Sequence, residues 1–404
     1  MWISPGGELQ SSEGSPLDAA IYLMLIIAAL VTLSKRQISL QEILARNGAL
    51  VALFAYMVAS TLWTEDPFVS FKRFIKMIGM PCMALMVLTE EDPVIALATL
   101  ARRSAYFLLP LSETLNKYFF DLAVQFDAWT GAMAVSGASS SKNMLGQVCF
   151  IEALLLIWLL ISRIGQEEPY LRKSQTALDM FVAYLAIYLL YRSNSSTSVA
   201  CLIVGVVVLF AGNLRFIRWR IATFLFIAVL LFLSLQSAIG VYEPLVRALH
   251  RDPTLTNRTE IWHELWALRG NLLIGTGFEG FWTGERLMSI LRARNIQEAH
   301  NGYLEIILNL GLVGLTLWLS FIVAAYRTAK RFITTDYVFG RIGLTIFAVM
   351  LVYNLTESGI KGLSSILFFF FVFGIDASAV QQMAPTEEFE EAINPELLPE
   401  IIRN

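Results

Sequence analysis

Apolar runs close to the length that crosses a ~30 Å hydrocarbon layer recur along most of this chain, and they limit its fold class before any motif is read. About eleven spans are predicted, near 17–34, 48–63, 74–89, 104–120, 145–162, 176–191, 197–212, 221–239, 303–325, 342–356 and 362–380. Several fall short of the usual ~20 residues, so they tilt little or extend into their connectors. Charged residues make up only 16% of the chain, against roughly 25% in a soluble domain. The expected fold is an all-α polytopic membrane protein of about eleven transmembrane helices with one large, partly helical extracytoplasmic loop. Its expected divisions are 1–239 (helices 1–8), 240–302 (the extracytoplasmic catalytic loop), 303–380 (helices 9–11) and 381–404, an acidic cytoplasmic tail expected to be disordered.

Positive charge sets the orientation. Lys35, Arg36 and Arg46, then Arg102 and Arg103, then Arg163, Arg172 and Lys173 fall in alternate connectors. So do Arg215, Arg218 and Arg220, and Arg327, Lys330, Arg331 and Arg341. These connectors are expected to face the cytoplasm, with Glu65, Asp66, Asp121 and Asp127 outside. Lys72 and Arg73 then stand on the outer side, as on an interfacial helix. The N-terminus up to Asp18 has no Lys or Arg, so a retained first span is expected rather than a cleaved signal peptide. The three cysteines, Cys82, Cys149 and Cys201, all lie in apolar runs and read as packing residues. There is no HExxH, acidic metal cluster, GxSxG or P-loop, so neither a metal nor a cofactor is predicted. No basic run points to nucleic acid. The sequence shows no internal repeat, and its polar content is concentrated in one large loop, which argues against an inverted-repeat transporter.

Residues 240–301 form the polar exception between apolar runs, and all three histidines lie there. Asn257 and Glu260 frame a capping-box-like helix start, which places Arg258 in a first turn. A guanidinium beside free backbone N–H groups suits an anion such as phosphate, although the same arginine could simply reach lipid headgroups. His300, followed by Asn301 (a candidate cap) and Tyr303, reads either as a general base at the water–membrane boundary or as an interfacial anchor. His263, beside Trp262 and Trp266, reads as packing, and His250 as solvated loop. Glycines and aromatics from Gly275 to Trp282 suit a mobile loop near lipid or sugar. Arg192, at the edge of the serine–threonine run 193–198, could hold phosphate, while the hydroxyls could equally satisfy the start of the next span. Glu357 near the membrane edge needs a partner, and Lys361 at i+4 is the obvious one. Glu113 and Lys117 repeat that spacing. Lys142, Asn143, Arg192, Arg258, His300, Glu357 and Lys361 thus converge on the outer face, which favours a site there.

Taken together, several segments resemble the O-antigen ligase/polymerase superfamily, and within it the bacterial exopolysaccharide repeat-unit polymerases. They are Leu62-Trp63-Thr64-Glu65-Asp66-Pro67, Leu109-Pro110-Leu111-Ser112, Asp127-Ala128-Trp129-Thr130-Gly131, Ser141-Lys142-Asn143-Met144-Leu145-Gly146, Asn257-Arg258 with Trp262, and Gly275-Thr276-Gly277-Phe278. Ala299-His300-Asn301-Gly302-Tyr303-Leu304-Glu305 is the strongest, followed by Leu310-Gly311-Leu312-Val313-Gly314. The resemblance implies metal-independent glycosyl transfer from a polyprenyl-pyrophosphate-linked oligosaccharide at the periplasmic face of the bacterial inner membrane. By motif it implies His300 as the base and Arg258 as one of two arginines on the pyrophosphate. Where relatives carry Arg or Lys in the serine–threonine run this chain has Ser196, so Arg192 is the candidate for the first arginine. Lys142, Asn143, Asn301, Tyr303, Glu357 and Lys361 are candidate substrate-binding residues. Membrane lipids are expected partners, and a chain-length regulator and export machinery are candidates. A ligase moving a finished glycan, or a flippase of lipid-linked sugars, are the alternatives.

Overall fold

The computed structural model describes residues 16–36, 38–126, 133–163, 173–212, 258–294 and 296–378. The N-terminus to residue 15, the motif from Asp127 to Gly131, the 221–239 span, His250, Asn257 and the acidic tail lie outside the described residues.

Helix boundaries follow the capping chemistry written at them. Asp66 accepts from Val69 N at 3.1 Å and Pro67 opens α4 (Pro67–Leu88). Asp92 accepts from Ile95 N at 2.9 Å and Pro93 opens α5 (Pro93–Tyr118). Each pair places a carboxylate on orphan N–H groups and puts proline where no N–H is needed. Before α4 come α1 (Pro16–Lys35), α2 (Leu40–Arg46) and α3 (Gly48–Ser60), which runs into a 3-10 turn at Thr61–Trp63. After α5, a short α6 (Phe120–Ala123) leads into a two-stranded antiparallel ribbon, β1 (Val124–Phe126) and β2 (Met133–Val135), an exception to the all-helical expectation. Then follow α7 (Lys142–Arg163), α8 (Lys173–Ser193) and α9 (Ser196–Ala211). Two helices of the loop region, α10 (Arg258–Ala267) and α11 (Gly284–Arg294), precede α12 (Gly302–Thr335), α13 (Tyr337–Thr356) and α14 (Ser365–Gly374).

This is the architecture of an all-α membrane protein. Among the described residues five helices are long and apolar enough to cross a membrane, or six if the α2–α3 pair, bent by 93°, forms one span. The bend is held by Asn47, whose Nδ2 donates to Ile43 O at 2.8 Å and Asp376 O at 3.0 Å. The predicted 362–380 span shrinks to the ten residues of α14, about 15 Å of helix. Its phenylalanines are buried in protein, Phe370 packing on Trp318, Phe321 and Phe347. A run that is apolar on every side suits a protein core as well as lipid, which is why the sequence pattern overstates its span.

Lys72 and Arg73 also find their explanation. α4 starts seven residues before the predicted span, at Pro67, so both lie in its first two turns. Arg73 Nη1 donates to Glu279 O at 2.8 Å, tying α4 to the glycine-rich segment.

Candidate active site

The site is assembled from helix ends. Asn143 lies in the first turn of α7, Arg258 opens α10, Glu357 follows the last residue of α13, and His300 stands two residues before α12. Glu357 joins them. Its Oε1 accepts from Arg258 Nη2 at 2.6 Å and from Asn143 Nδ2 at 3.0 Å. Its Oε2 lies 3.2 Å from His300 Nδ1. Glu298 Oε1 approaches the same Nδ1 at 3.1 Å from the more open side.

Three anchors set His300. Trp262 Nε1 of α10 donates to Ala299 O at 2.8 Å, and Ala299 N donates to Glu305 Oε1 at 2.7 Å. On the other side, Gly302 N donates to Glu357 O at 3.0 Å. A side chain at Gly302 would run into Asn354, so glycine permits this close approach. Between these anchors His300 adopts φ 49°, a left-handed conformation that is uncommon for a non-glycine residue.

The electrostatics follow from that packing. Burial pulls the His300 pKa down, but hydrogen bonds to Glu298 and Glu357, with their charges, push it up to about 9. Burial disfavours the Glu298 carboxylate, yet the His300 bond and the charges of His300, Lys361 and Arg258 hold it below the ordinary carboxylate value. His300 is therefore an imidazolium at neutral pH in the resting site. Nδ1 is committed to carboxylates, which only accept, leaving Nε2 as the ring nitrogen available to a ligand. The ligand-type atoms of Glu298, His300 and Glu357 lie within 4.8 Å of one another, a spacing compatible with a shared cation. Arg258 already occupies that electrostatic role on Glu357.

A second cluster holds the loop down. Glu305, its side chain 3% exposed, accepts from Trp282 Nε1 at 2.7 Å, Ala299 N at 2.7 Å and Asn309 Nδ2 at 3.2 Å. Lys361 belongs here and not with Glu357. Its ammonium is 3.8 Å from Glu305 Oε1, 4.1 Å from the Trp282 ring centre, and bonded to Gln297 O. The i+4 expectation fails because α13 ends at Thr356, so Glu357 and Lys361 share no helix. The Glu113–Lys117 pairing does not form among the described residues either, since Lys117 stands 5.3 Å from the Tyr118 ring centre.

The remaining candidates have local roles. Asn301 caps α12, accepting from Leu304 N at 3.0 Å, and donates to Leu355 O at 3.2 Å. Tyr303 donates to Leu351 O at 3.1 Å, tying α12 to α13. Lys142 opens α7, half-buried. Arg192 donates to Tyr188 OH at 2.7 Å and packs on its ring, with no bond to the Glu357 cluster. In the serine–threonine run Ser195 Oγ donates to Ser198 Oγ at 3.0 Å, but Ser195, at the start of α9, makes no side-chain bond to the helix's free N–H groups. Thr197 reaches Thr356 at 3.0 Å, beside Glu357. His263 is exposed rather than packed. The glycine-rich segment is a packed plug, its Phe278, Phe281 and Trp282 all buried, so those rings do not offer open faces to a sugar. Sequence reasoning missed Glu298, and a carboxylate two residues before His300 was the available signal. Two buried atoms flanking Glu357, Asn354 Oδ1 and Ser358 Oγ, have no partner among the described residues and leave polar capacity there.

A family model described as O-antigen ligase matches residues 181–319, a stretch containing Arg192, Arg258, Glu298 and His300. The chain is also 25% identical over 317 residues to the exopolysaccharide production protein ExoQ of Rhizobium meliloti (strain 1021), covering 73% of this chain and 69% of that protein. Both matches support the O-antigen ligase superfamily.

Proposed function

We propose that this protein is a glycosyltransferase that joins polyprenyl-pyrophosphate-linked oligosaccharide repeat units into exopolysaccharide, working at the outer face of a bacterial inner membrane. The observation that carries the reading is the meeting of Arg258 and His300 on one buried carboxylate at the helix ends predicted to face outward. The similarity to an exopolysaccharide production protein supports the product class.

In the proposed reaction an acceptor hydroxyl attacks the anomeric carbon of the donor glycan. The bond from that carbon to the pyrophosphate oxygen breaks, and the electron pair leaves on the pyrophosphate. Arg258 stabilises the growing negative charge; a guanidinium has five N–H donors, and its bond to Glu357 uses one. The hydroxyl proton passes to Nε2 of His300 in its neutral form. Attack opposite the leaving group inverts the anomeric centre. No step draws on a metal ion. Arg192 is the candidate for the first arginine on the pyrophosphate, and its bond to Tyr188 uses one of its five donors.

The test is the glycan made by membranes carrying His300→Ala, with protein abundance checked. Normal abundance with single repeat units accumulating on carrier lipid is the expected result. Long polymer at the wild-type level removes His300 from the chemistry. The family description, O-antigen ligase, also favours transfer of a finished glycan to a second acceptor, and only polymerisation leaves a ladder of lengths on the carrier.

A further inference from the structure

Glu357 is the most enclosed charged group of the site, its side chain 3% exposed. A carboxylate taken out of water costs several kcal/mol unless donors replace the water. Here Arg258 Nη2 at 2.6 Å, Asn143 Nδ2 at 3.0 Å and His300 Nδ1 at 3.2 Å do so, and together they occupy both oxygens. The main chain of the same residue is fixed as well. Its N–H donates to Tyr353 O at 2.9 Å, and its carbonyl accepts from Gly302 N at 3.0 Å, two residues beyond His300.

We propose that Glu357 is the positioning residue of the transfer reaction, setting the imidazole of His300 and the guanidinium of Arg258 in one fixed relation without itself touching substrate. The proposal rests on the reading of His300 and Arg258 given above, and it replaces the sequence expectation that Glu357 binds substrate. Two geometric facts separate this role from simple charge pairing. Oε2 faces Nδ1 and not Nε2, so the carboxylate selects the ring form whose Nε2 can take a proton. Oε1 holds Arg258 from α10, ninety-nine residues away in sequence, so one side chain spans the proton acceptor and the leaving-group holder. Asn143, arriving from α7, closes the remaining freedom of the carboxylate. Glu298 shares Nδ1 but is 38% exposed, which suits it less to holding the ring in place.

The discriminating variant is Glu357→Gln, studied in membranes with lipid-linked repeat units and compared with His300→Ala. Glutamine keeps the volume and one oxygen for Arg258 and Asn143, but turns an N–H donor toward Nδ1. Nδ1 must then accept, which places the proton on Nε2 and spoils the base. The expected result is normal protein abundance, a loss in kcat of roughly 10- to 100-fold on the alkaline plateau, where the ring is neutral in both proteins, and a smaller change in KM. The charged groups facing His300 are Glu298, Glu357, Arg258 and, through Glu298, Lys361. Removing the Glu357 charge lowers the imidazole pKa, so the rising limb of the residual rate moves about one pH unit or more toward acid. A wild-type kcat, or a uniform loss with an unmoved limb, overturns the positioning role while an inactive His300→Ala keeps the base reading intact. An active His300→Ala overturns that reading itself. Should Glu357→Ala fail to accumulate, the glutamine variant still decides the matter, because it preserves the side-chain volume while removing the charge and turning a donor toward Nδ1.

Discussion

His300 combines a strained backbone, φ 49°, with a ring nitrogen held between two carboxylates, and each feature has a consequence that can be measured. Its folded pKa of about 9 lies above the ordinary 6.5, so folding favours the protonated ring. The stability this contributes is fully present below pH 6.5 and is lost as pH rises through about 9. Thermal unfolding in detergent should therefore show Tm falling across that window in the wild type, with a shallower fall in His300→Ala. The catalytic consequence has the opposite sign. Base catalysis needs the neutral ring, and at pH 7 only about 1% of free sites hold it if the pKa is about 9. The rate at low substrate should rise up to about tenfold per pH unit from pH 7 toward 9. A rate that is flat over that range would mean that the imidazolium, not the imidazole, is the working form.

At the scale of elements, the loop region is built into the membrane helices rather than draped over them. α12 breaks at Gly311 (φ 66°, ψ −165°), and the break exposes backbone N–H groups that the loop takes up. Leu312 N donates to Leu272 O at 2.9 Å and Val313 N to Leu273 O at 3.0 Å, while Thr276 N donates back to Leu308 O at 3.2 Å. A side chain at Gly311 would meet the Leu273 carbonyl and would also have to adopt a positive φ. Gly311→Ala should cost at least about 1–3 kcal/mol, and the loss should appear as earlier proteolysis of the 271–283 segment before global unfolding. Much of this level was legible. The all-helical apolar character, the cap at Asn301 and a loop-region helix at Arg258 follow from local rules that need only neighbouring residues. What escaped is what those rules cannot carry. The bond from Arg258 to Glu357 joins residues far apart in sequence, and the end of α13 at Thr356 redirects Lys361 to Glu305. The burial of Phe278 and Trp282 makes a plug of a stretch whose glycines alone read as mobile.

At the scale of the whole molecule, charge separates to the two ends of the helix bundle, and this gives the orientation a direct test. One end holds Arg258, His300, Glu298 and Glu357. Near the opposite helix ends Arg36 pairs with Glu90 and Arg331 with Asp376 at 2.7 Å, while Arg102, expected in a connector, lies inside α5 and pairs with Asp179 of α8. Those arginines come from the connectors predicted to face the cytoplasm, and in the fold they also tie neighbouring helices together, so packing and topology ask for the same residues. The site faces outward only if the arginine end faces inward. The chain suits thiol labelling because Cys149 and Cys201 are buried and Cys82 is half-buried on a helix. Introduced at the position of Glu298, 38% exposed, a thiol should react with a membrane-impermeant maleimide added to intact spheroplasts. At Arg331, 47% exposed, the same substitution should react only after the membrane is opened. The reverse pattern would put Arg258 and His300 on the cytoplasmic side. Polymerisation at the outer face would then be untenable, and a role in assembling or moving repeat units inside the cell would take its place.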